Sequence, residues 1–358
     1  MKEMKIYNAH IHTFKECDIP RKFLPLGLVR IISTKWGYNF LSKALNALNP
    51  LSSDDALKKY VKFMTIGKMK SQLAILRECA KNYPDDTAFL VHSMDMRYMN
   101  AGRVPRYYRD QLEELACMRE DFKDQVYPFV HVDPNNPTVM YDFHYAAEHG
   151  FSGIKIYPPA SCHLPDDERM HPIYEQCEKR IMQALAHCGA QSPTRYHASK
   201  RKLRKMLDKA GLKWTKDMDR TELAGQFTHP LNYVPLLEKY PGMNICFGHW
   251  GSEKAWKEYL ENPDNKDNWF YIIRDIIKKY PNAYTDISFT LNDSEYFSVL
   301  KVFLLDPAIR EKVLFGTDFY MVESKSTEKK FCFDLRAYLG EELFEQIACT
   351  NVKKYLKI

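Results

Sequence analysis

Met4-Lys5-Ile6-Tyr7-Asn8-Ala9-His10-Ile11-His12 is a short apolar run closed by two histidines one residue apart. Residues two apart on a strand share a face, so a strand over Lys5 to His12 converges both imidazoles on one point and packs Ile11 on the other side. Neutral imidazole nitrogen suits zinc, iron or manganese, but two ligands are half of a site. The reading therefore turns on where the chain supplies a third and a fourth.

Seven further apolar, β-rich runs follow: Ala88 to Met94, Val126 to Val132, Gly153 to Tyr157, Gln183 to His187, Asn244 to His249, Ala283 to Phe289 and Val313 to Asp318. Stretches of helical period separate them, among them Met69 to Tyr83, Tyr107 to Phe122, Ile173 to Arg180 and Phe270 to Tyr280. Alternating strand and helix imply a parallel sheet, and eight repeats imply an α/β fold closed as a (β/α)8 TIM barrel. At 358 residues the whole chain, 1–358, is expected to be one barrel domain. Two connections are too long for simple barrel turns. Residues 13–68, with helical patterns at Tyr38 to Leu48 and, after Ser53, at Asp54 to Thr65, read as a helical lid after strand one. Residues 189–240, with a basic helix and Trp214, read as a smaller insertion after strand five.

Hydrophobic residues at 45% and charged residues at 27% are ordinary globular usage. The net charge of +6 is spread along the chain, and the cluster Lys200-Arg201-Lys202-Leu203-Arg204-Lys205 reads as a solvated helix face, not a nucleic-acid site. Nine cysteines without a C-x-x-C pair argue against a disulfide framework and a thiolate zinc knuckle. With no signal-peptide pattern and no run long enough to span a membrane, the expectation is a cytoplasmic protein with a small-molecule substrate and neither membrane nor nucleic acid as partner.

Partners for the first two histidines are sought at strand C-terminal ends, where barrels gather their active sites. His187 closes strand five, His249 strand six and Asp318 strand eight. Singly, a buried histidine is more often a satisfied core residue than a ligand. Four imidazoles and a carboxylate at one mouth are a near-complete zinc-type constellation.

These residues also carry a resemblance. His10-x-His12, Gly153-Ile154-Lys155-Ile156-Tyr157-Pro158-Pro159, Ala186-His187-Cys188-Gly189, Phe247-Gly248-His249-Trp250-Gly251 and Phe315-Gly316-Thr317-Asp318 resemble the amidohydrolase superfamily. The closer likeness is to its amidohydrolase-related (amidohydrolase 2) branch, which includes aminocarboxymuconate-semialdehyde and γ-resorcylate type decarboxylases beside hydrolases. Val130 to Pro134, Thr228 to Tyr233, and Leu339 through Asn351 to Leu356 extend it over nearly the whole chain. The resemblance implies that His10, His12, His187 and Asp318 hold one divalent ion, zinc first, with manganese or iron as alternatives. Asp318 and His249 become the catalytic pair that moves protons, His249 being open to direct ligation as well. In two-metal relatives a strand-four lysine is carboxylated and bridges the ions. Here Lys155 is read first as a group that binds a substrate carboxylate or packs along the barrel wall. The deaminase branch expects a glutamate three residues after the strand-five histidine, where this chain has Ala190.

Lys155, Tyr157, His163, Arg195 and Trp250 are the substrate-side candidates. His92 and His131 are read as pocket-floor or core residues, His144, His149, His171 and His229 as structural, and Cys188 as facing the helices. The leading function is metal-dependent hydrolysis of an amide, ester or lactone in a small carboxylated molecule. Its alternative is non-oxidative decarboxylation of an aromatic or enoic acid on the same site. A barrel that has lost catalysis and only binds is a minor alternative, since it predicts missing ligands. Barrels of this kind are often homodimers.

Overall fold

A computed structural model describes residues 4–23, 63–192, 194–290 and 294–358. Eight parallel strands form one sheet in sequential order: β1 (Tyr7–His12), β2 (Ala88–His92), β3 (Val126–Val132), β4 (Gly153–Ile156), β5 (Gln183–Gly189), β6 (Ile245–Gly251), β7 (Ala283–Asp286) and β8 (Val313–Leu314). Between them run α1 (Gln72–Ala80), α2 (Tyr108–Asp121), α3 (Val139–Glu148), α4 (His171–Arg180), then α5 (Lys200–Lys209) and α6 (Arg220–Gly225), then α7 (Ser252–Glu261) and α8 (Trp269–Lys279). After β8 come α9 (Phe319–Lys325), α10 (Glu328–Leu339) and α11 (Asn351–Leu356). The TIM barrel expected from the alternation is the observed fold. The lid helices read at 38–48 and, apart from 63–65, at 54–65 lie outside the described residues.

Strand alternation builds two apolar layers. Tyr7, Ala9, Leu90, Tyr127, Phe129, Leu185, Cys246, Tyr284 and Leu314 fill the barrel interior, where Val352, Tyr355 and Leu356 of α11 join them. This last helix plugs the bottom: the Tyr355 hydroxyl donates to the Ala184 carbonyl at 2.9 Å, and Asn244 Nδ2 donates to the Tyr355 carbonyl at 2.8 Å. The opposite strand faces, with Ile11, Val130, Ile154, Ala186 and Phe247, pack under the helices. In the segment after β5, Leu203 and Leu207 of α5 pack on Leu223 and Ala224 of α6 and on Phe227, a small core of their own, while Arg201, Lys202 and Lys205 are exposed.

Four strands end earlier than their apolar runs, β2 at His92 and β4 at Ile156 only slightly, β7 and β8 by more. The Asp286 carboxylate accepts the backbone N–H of Ser288 at 3.0 Å and of His249 at 2.9 Å, which draws the chain out of the ladder after Asp286 instead of after Phe289. Phe315 donates its N–H to the Ile347 carbonyl at 2.9 Å, so β8 stops at Leu314.

Closure between β8 and β1 rests on a few backbone bonds, Ala9 N–H to the Phe315 carbonyl at 2.8 Å and Asp318 N–H to the His10 carbonyl at 2.7 Å, and on side chains. Asn8 Oδ1 accepts from the N–H groups of His10 and Thr317, and its Nδ2 donates to Thr317 Oγ1 at 2.8 Å. Behind it the fully buried Glu328 accepts from Thr317 Oγ1 and the Tyr83 hydroxyl, both at 2.6 Å. Burial raises the Glu328 carboxyl to about 7, the hydrogen bonds from Thr317, Tyr83 and Cys79 opposing it. A carboxyl raised on folding contributes stability that is complete below its unfolded value near 4.5 and is lost as pH rises through about 7. The loss expected between pH 5 and 8 is on the order of 3 kcal/mol. Urea midpoints across that range should fall for the parent protein and stay flatter for Glu328→Gln; parallel curves would refute this.

Candidate metal centre

The mouth of the barrel holds His10, His12, His249 and His187, with ring centroids 5.4 Å apart for His10 and His12, 4.8 Å for His10 and His249, and 4.9 Å for His187 and His249. All four are buried. Regular alternation does not bring them there. On β1, Tyr7 and Ala9 face the interior, so an unbroken strand would point Ile11 inward; the pairing with β2 shifts register between Asn8 and Ile11. This irregularity turns His10 and His12 inward and Ile11 outward. On β6, Cys246 faces in and Phe247 out, which would leave His249 outside. Instead His249, Trp250, Gly251 and Ser252 all take positive φ, at 69°, 37°, 81° and 71°. That conformation costs non-glycine residues on the order of 1 kcal/mol or more each, and it swings His249 into the mouth. Asp318, at φ 56°, ends the β8 segment the same way.

Hydrogen bonds fix which nitrogen of each ring is free. His10 Nδ1 lies 2.8 Å from Asp286 Oδ2 and His10 Nε2 lies 3.0 Å from Lys155 Nζ. A carboxylate only accepts and an ammonium only donates, so His10 carries its proton on Nδ1 and presents a lone pair at Nε2. His12 Nδ1 donates to the His92 carbonyl at 2.8 Å, and His249 Nδ1 to the Ser288 carbonyl at 3.0 Å, leaving Nε2 as the acceptor on both. His187 Nε2 is buried and has no hydrogen-bond partner. Burial, with the neighbouring Lys155 and histidines adding to it, holds His10 and His187 well below the ordinary histidine value. His12 is lowered likewise, against the opposing hydrogen bond to His92. Uncharged rings with Nε2 free are the ligating form of histidine, so this donor set fits a divalent ion of the zinc, manganese or iron type.

Asp286 is the residue the sequence reading passed over. His10, His249 and Asp286 place ligand atoms within 4.8 Å of one another. The Asp286 oxygens are already committed, Oδ2 to His10 and Oδ1 to the His249 and Ser288 N–H groups and the Ser288 hydroxyl. Its part is to orient His10 and the β6 turn, as the outer carboxylates of histidine metal sites do. The signal was in the sequence: Tyr284 and Asp286 share a face, and ending the strand at Asp286 would have put a carboxylate at the mouth.

Lys155, on β4, is fully buried beside His10; burial lowers it to about 8, against the opposing pull of Asp286 and Asp318. Burial raises the Asp318 carboxyl, which His249 and Lys155 oppose. Tyr157 stacks on His187 with centroids 4.2 Å apart, its hydroxyl 2.5 Å from Ser192 Oγ. His163 is buried in the loop after β4, with Nδ1 2.8 Å from Ser161 Oγ. Arg195 is half-buried and donates to the Tyr196 carbonyl. Trp250 is not at the entrance: it is fully buried under the helices, stacked on Phe270 at 5.0 Å, with Nε1 donating to the Phe270 carbonyl. The positive φ that turns His249 inward turns Trp250 out. Cys188 likewise packs away from the mouth, against the Thr228 carbonyl.

Two glycines make room for His10. A Cβ on Gly316 would lie 2.9 Å from His10 Cβ and 3.2 Å from its backbone nitrogen, and one on Gly248 would lie 3.3 Å from His10 Cε1 and 3.0 Å from the Ala186 carbonyl oxygen. Gly316→Ala is expected to displace His10, costing roughly 1–3 kcal/mol of stability. It should also weaken divalent-metal binding about 10- to 100-fold. Titration of the metal-free protein with zinc or manganese checks this, and unchanged affinity would contradict it.

A family model described as Amidohydrolase matches residues 69–358. A search of curated proteins finds no match. Solved structures share the fold over 99% of this chain. One is the 5-carboxyvanillate decarboxylase of Novosphingobium aromaticivorans in complex with manganese and 4-hydroxy-3-methoxy-5-nitrobenzoic acid (14% identity, 96% of that chain, TM-score 0.57). Another is the 2,6-dihydroxybenzoate decarboxylase of Rhizobium (14%, 99%, 0.54), and a third a Staphylococcus aureus protein described as an amidohydrolase (14%, 100%, 0.55). With the family model spanning most of its length, the chain belongs to the amidohydrolase family.

Proposed function

We propose that this protein is a metal-dependent hydrolase acting on an amide, ester or lactone of a small carboxylated molecule, with His10, His12, His187 and Asp318 holding one divalent ion. The observation that carries the reading is the set of Nε2 lone pairs left on His10, His12 and His249 by their Nδ1 hydrogen bonds, beside the unpartnered Nε2 of His187. Bound there, a divalent ion supplies Lewis acidity, lowering the pKa of water and polarising a carbonyl oxygen. Zinc is the first choice; manganese is supported by the similar fold that carries it.

The chain's own groups do the rest. Asp318 takes a proton from the attacking water, and His249 Nε2 accepts that proton and passes it to the leaving group. Asp286 keeps His10 in the right tautomer throughout. Charge selects the substrate: Asp286 and Asp318 against Lys155 leave the mouth one charge negative, and a dication makes it one charge positive, which favours an anion. Lys155, which must leave His10 Nε2 when that atom binds metal, is then free to pair a substrate carboxylate. Tyr157 and His163 line the approach.

Decarboxylation is the second reading, favoured by the decarboxylases that share the fold and by the same preference for a carboxylate. The two separate in one assay. Metal-loaded protein is offered lactones, amides, esters and aromatic or enoic acids, with acid or amine release and carbon dioxide recorded in parallel. Hydrolysis of a panel member is expected; carbon dioxide without any hydrolysis would replace the first reading with the second. Asp318→Asn should lower turnover at least about 100-fold. His10→Ala/His12→Ala should lose the ion in elemental analysis, where the parent holds one per chain, and a variant retaining it would remove the metal assignment.

A further inference from the structure

On the outer side of the β8–β1 seam, Glu328 is the first residue of α10 and is fully buried. Its Oε1 is the meeting point of four donors from three parts of the chain: Thr317 Oγ1 and the Tyr83 hydroxyl at 2.6 Å, Asn8 Nδ2 at 3.3 Å and Cys79 Sγ at 3.6 Å. A buried carboxyl is costly even where donors satisfy one of its oxygens. Its retention in the packing calls for a reason beyond filling space.

The contacts supply one. Thr317 immediately precedes Asp318, and Asn8 lies two residues before His10 on β1. Asn8 Oδ1 accepts the N–H of His10 at 3.3 Å and of Thr317 at 3.2 Å, and its Nδ2 holds Thr317 Oγ1 at 2.8 Å. Asn8 and Thr317 are thus clamped to each other, and Glu328 grips both. The two backbone segments they fix are the irregular ones: the register shift of β1 that turns His10 inward, and the left-handed turn at Asp318. No β8–β1 ladder holds them to each other, since β8 ends at Leu314. We propose that Glu328 is a positioning residue for the metal centre, setting through Asn8 and Thr317 the backbone from which His10 and Asp318 reach the ion. The role rests on the metal assignment made above.

The test measures manganese affinity of the metal-stripped full chain by competition with a chelating dye, alongside thermal midpoints. Glu328→Ala is expected to weaken binding about 10- to 100-fold, the range for lost outer partners of metal ligands. Glu328→Gln, whose amide oxygen still accepts from Thr317 and Tyr83, should recover most of it. Leu335→Ala removes a fully buried side chain from the same helix outside the network, and should lower the midpoint while leaving affinity within about twofold. If Glu328→Ala does not fold, Thr317→Val cuts the same link with its shape kept and should show the same loss. Parent-level affinity in the folded network variants, or an equal loss in Leu335→Ala, overturns the positioning role alone. A parent chain that takes up no manganese or zinc overturns the metal assignment itself and this role with it.

Discussion

Burial disfavours charge on His10, His12 and His187 at the mouth, and most of the site's order follows from that. A neutral imidazole has one N–H and one lone pair. In a water-poor setting the N–H must find an acceptor, because a lost hydrogen bond there costs on the order of 1–3 kcal/mol. His10, His12 and His249 each spend the Nδ1 proton on a fixed acceptor, a carboxylate or a main-chain carbonyl. What remains is Nε2. The requirement that satisfies the core therefore also leaves each ring the lone pair that the proposed ion would need, and it makes Asp286 and the carbonyls of His92 and Ser288 as much a part of the site as the rings they hold.

The same constraint explains the irregular backbone. Four imidazoles and their acceptors do not fit a barrel whose strands alternate without interruption, so β1 slips in register, β6 ends in a run of left-handed residues, and Gly248 and Gly316 leave out the Cβ atoms that His10 would strike. Strain of this kind is tolerated where surrounding hydrogen bonds over-determine it. Asp286 does so for β6, and Asn8 with Thr317 does so for the seam.

The barrel was legible because its signal is repetitive: eight apolar runs, each followed by a helical period, leave few other folds. The histidines were legible because each closes such a run. What failed was the finer step from strand to direction. Trp250 was placed beside the entrance because it follows His249, whereas its ring packs on Phe270 under the helices, and the positive φ values from His249 to Ser252 that set both directions are invisible in the residue types. Asp286 was missed because the run Ala283 to Phe289 continues past it in apolar residues, while the chain leaves the ladder at the carboxylate itself. His10 and His12 share a face although the strand is irregular, since the slip between Asn8 and Ile11 leaves the alternation from His10 to His12 intact.

Hydrolysis and decarboxylation ask opposite things of the same groups, which makes proton ownership the point where they diverge. Hydrolysis begins with a base that takes a proton from water; decarboxylation ends with an acid that gives one to carbon. Asp318 is a carboxyl raised by burial and faces Lys155 and His249, so it can serve as either. The proposed ligand set therefore does not choose the reaction. The choice falls to where the substrate's reacting atom sits relative to Asp318. A carbonyl carbon held with water between it and the carboxylate is hydrolysed, whereas a ring carbon set against the carboxyl, with its carboxylate drawn towards Lys155, is poised to exchange carbon dioxide for a proton. In a barrel that position is fixed by the loops above the strands, so two members of the fold can share every ligand and still break different bonds.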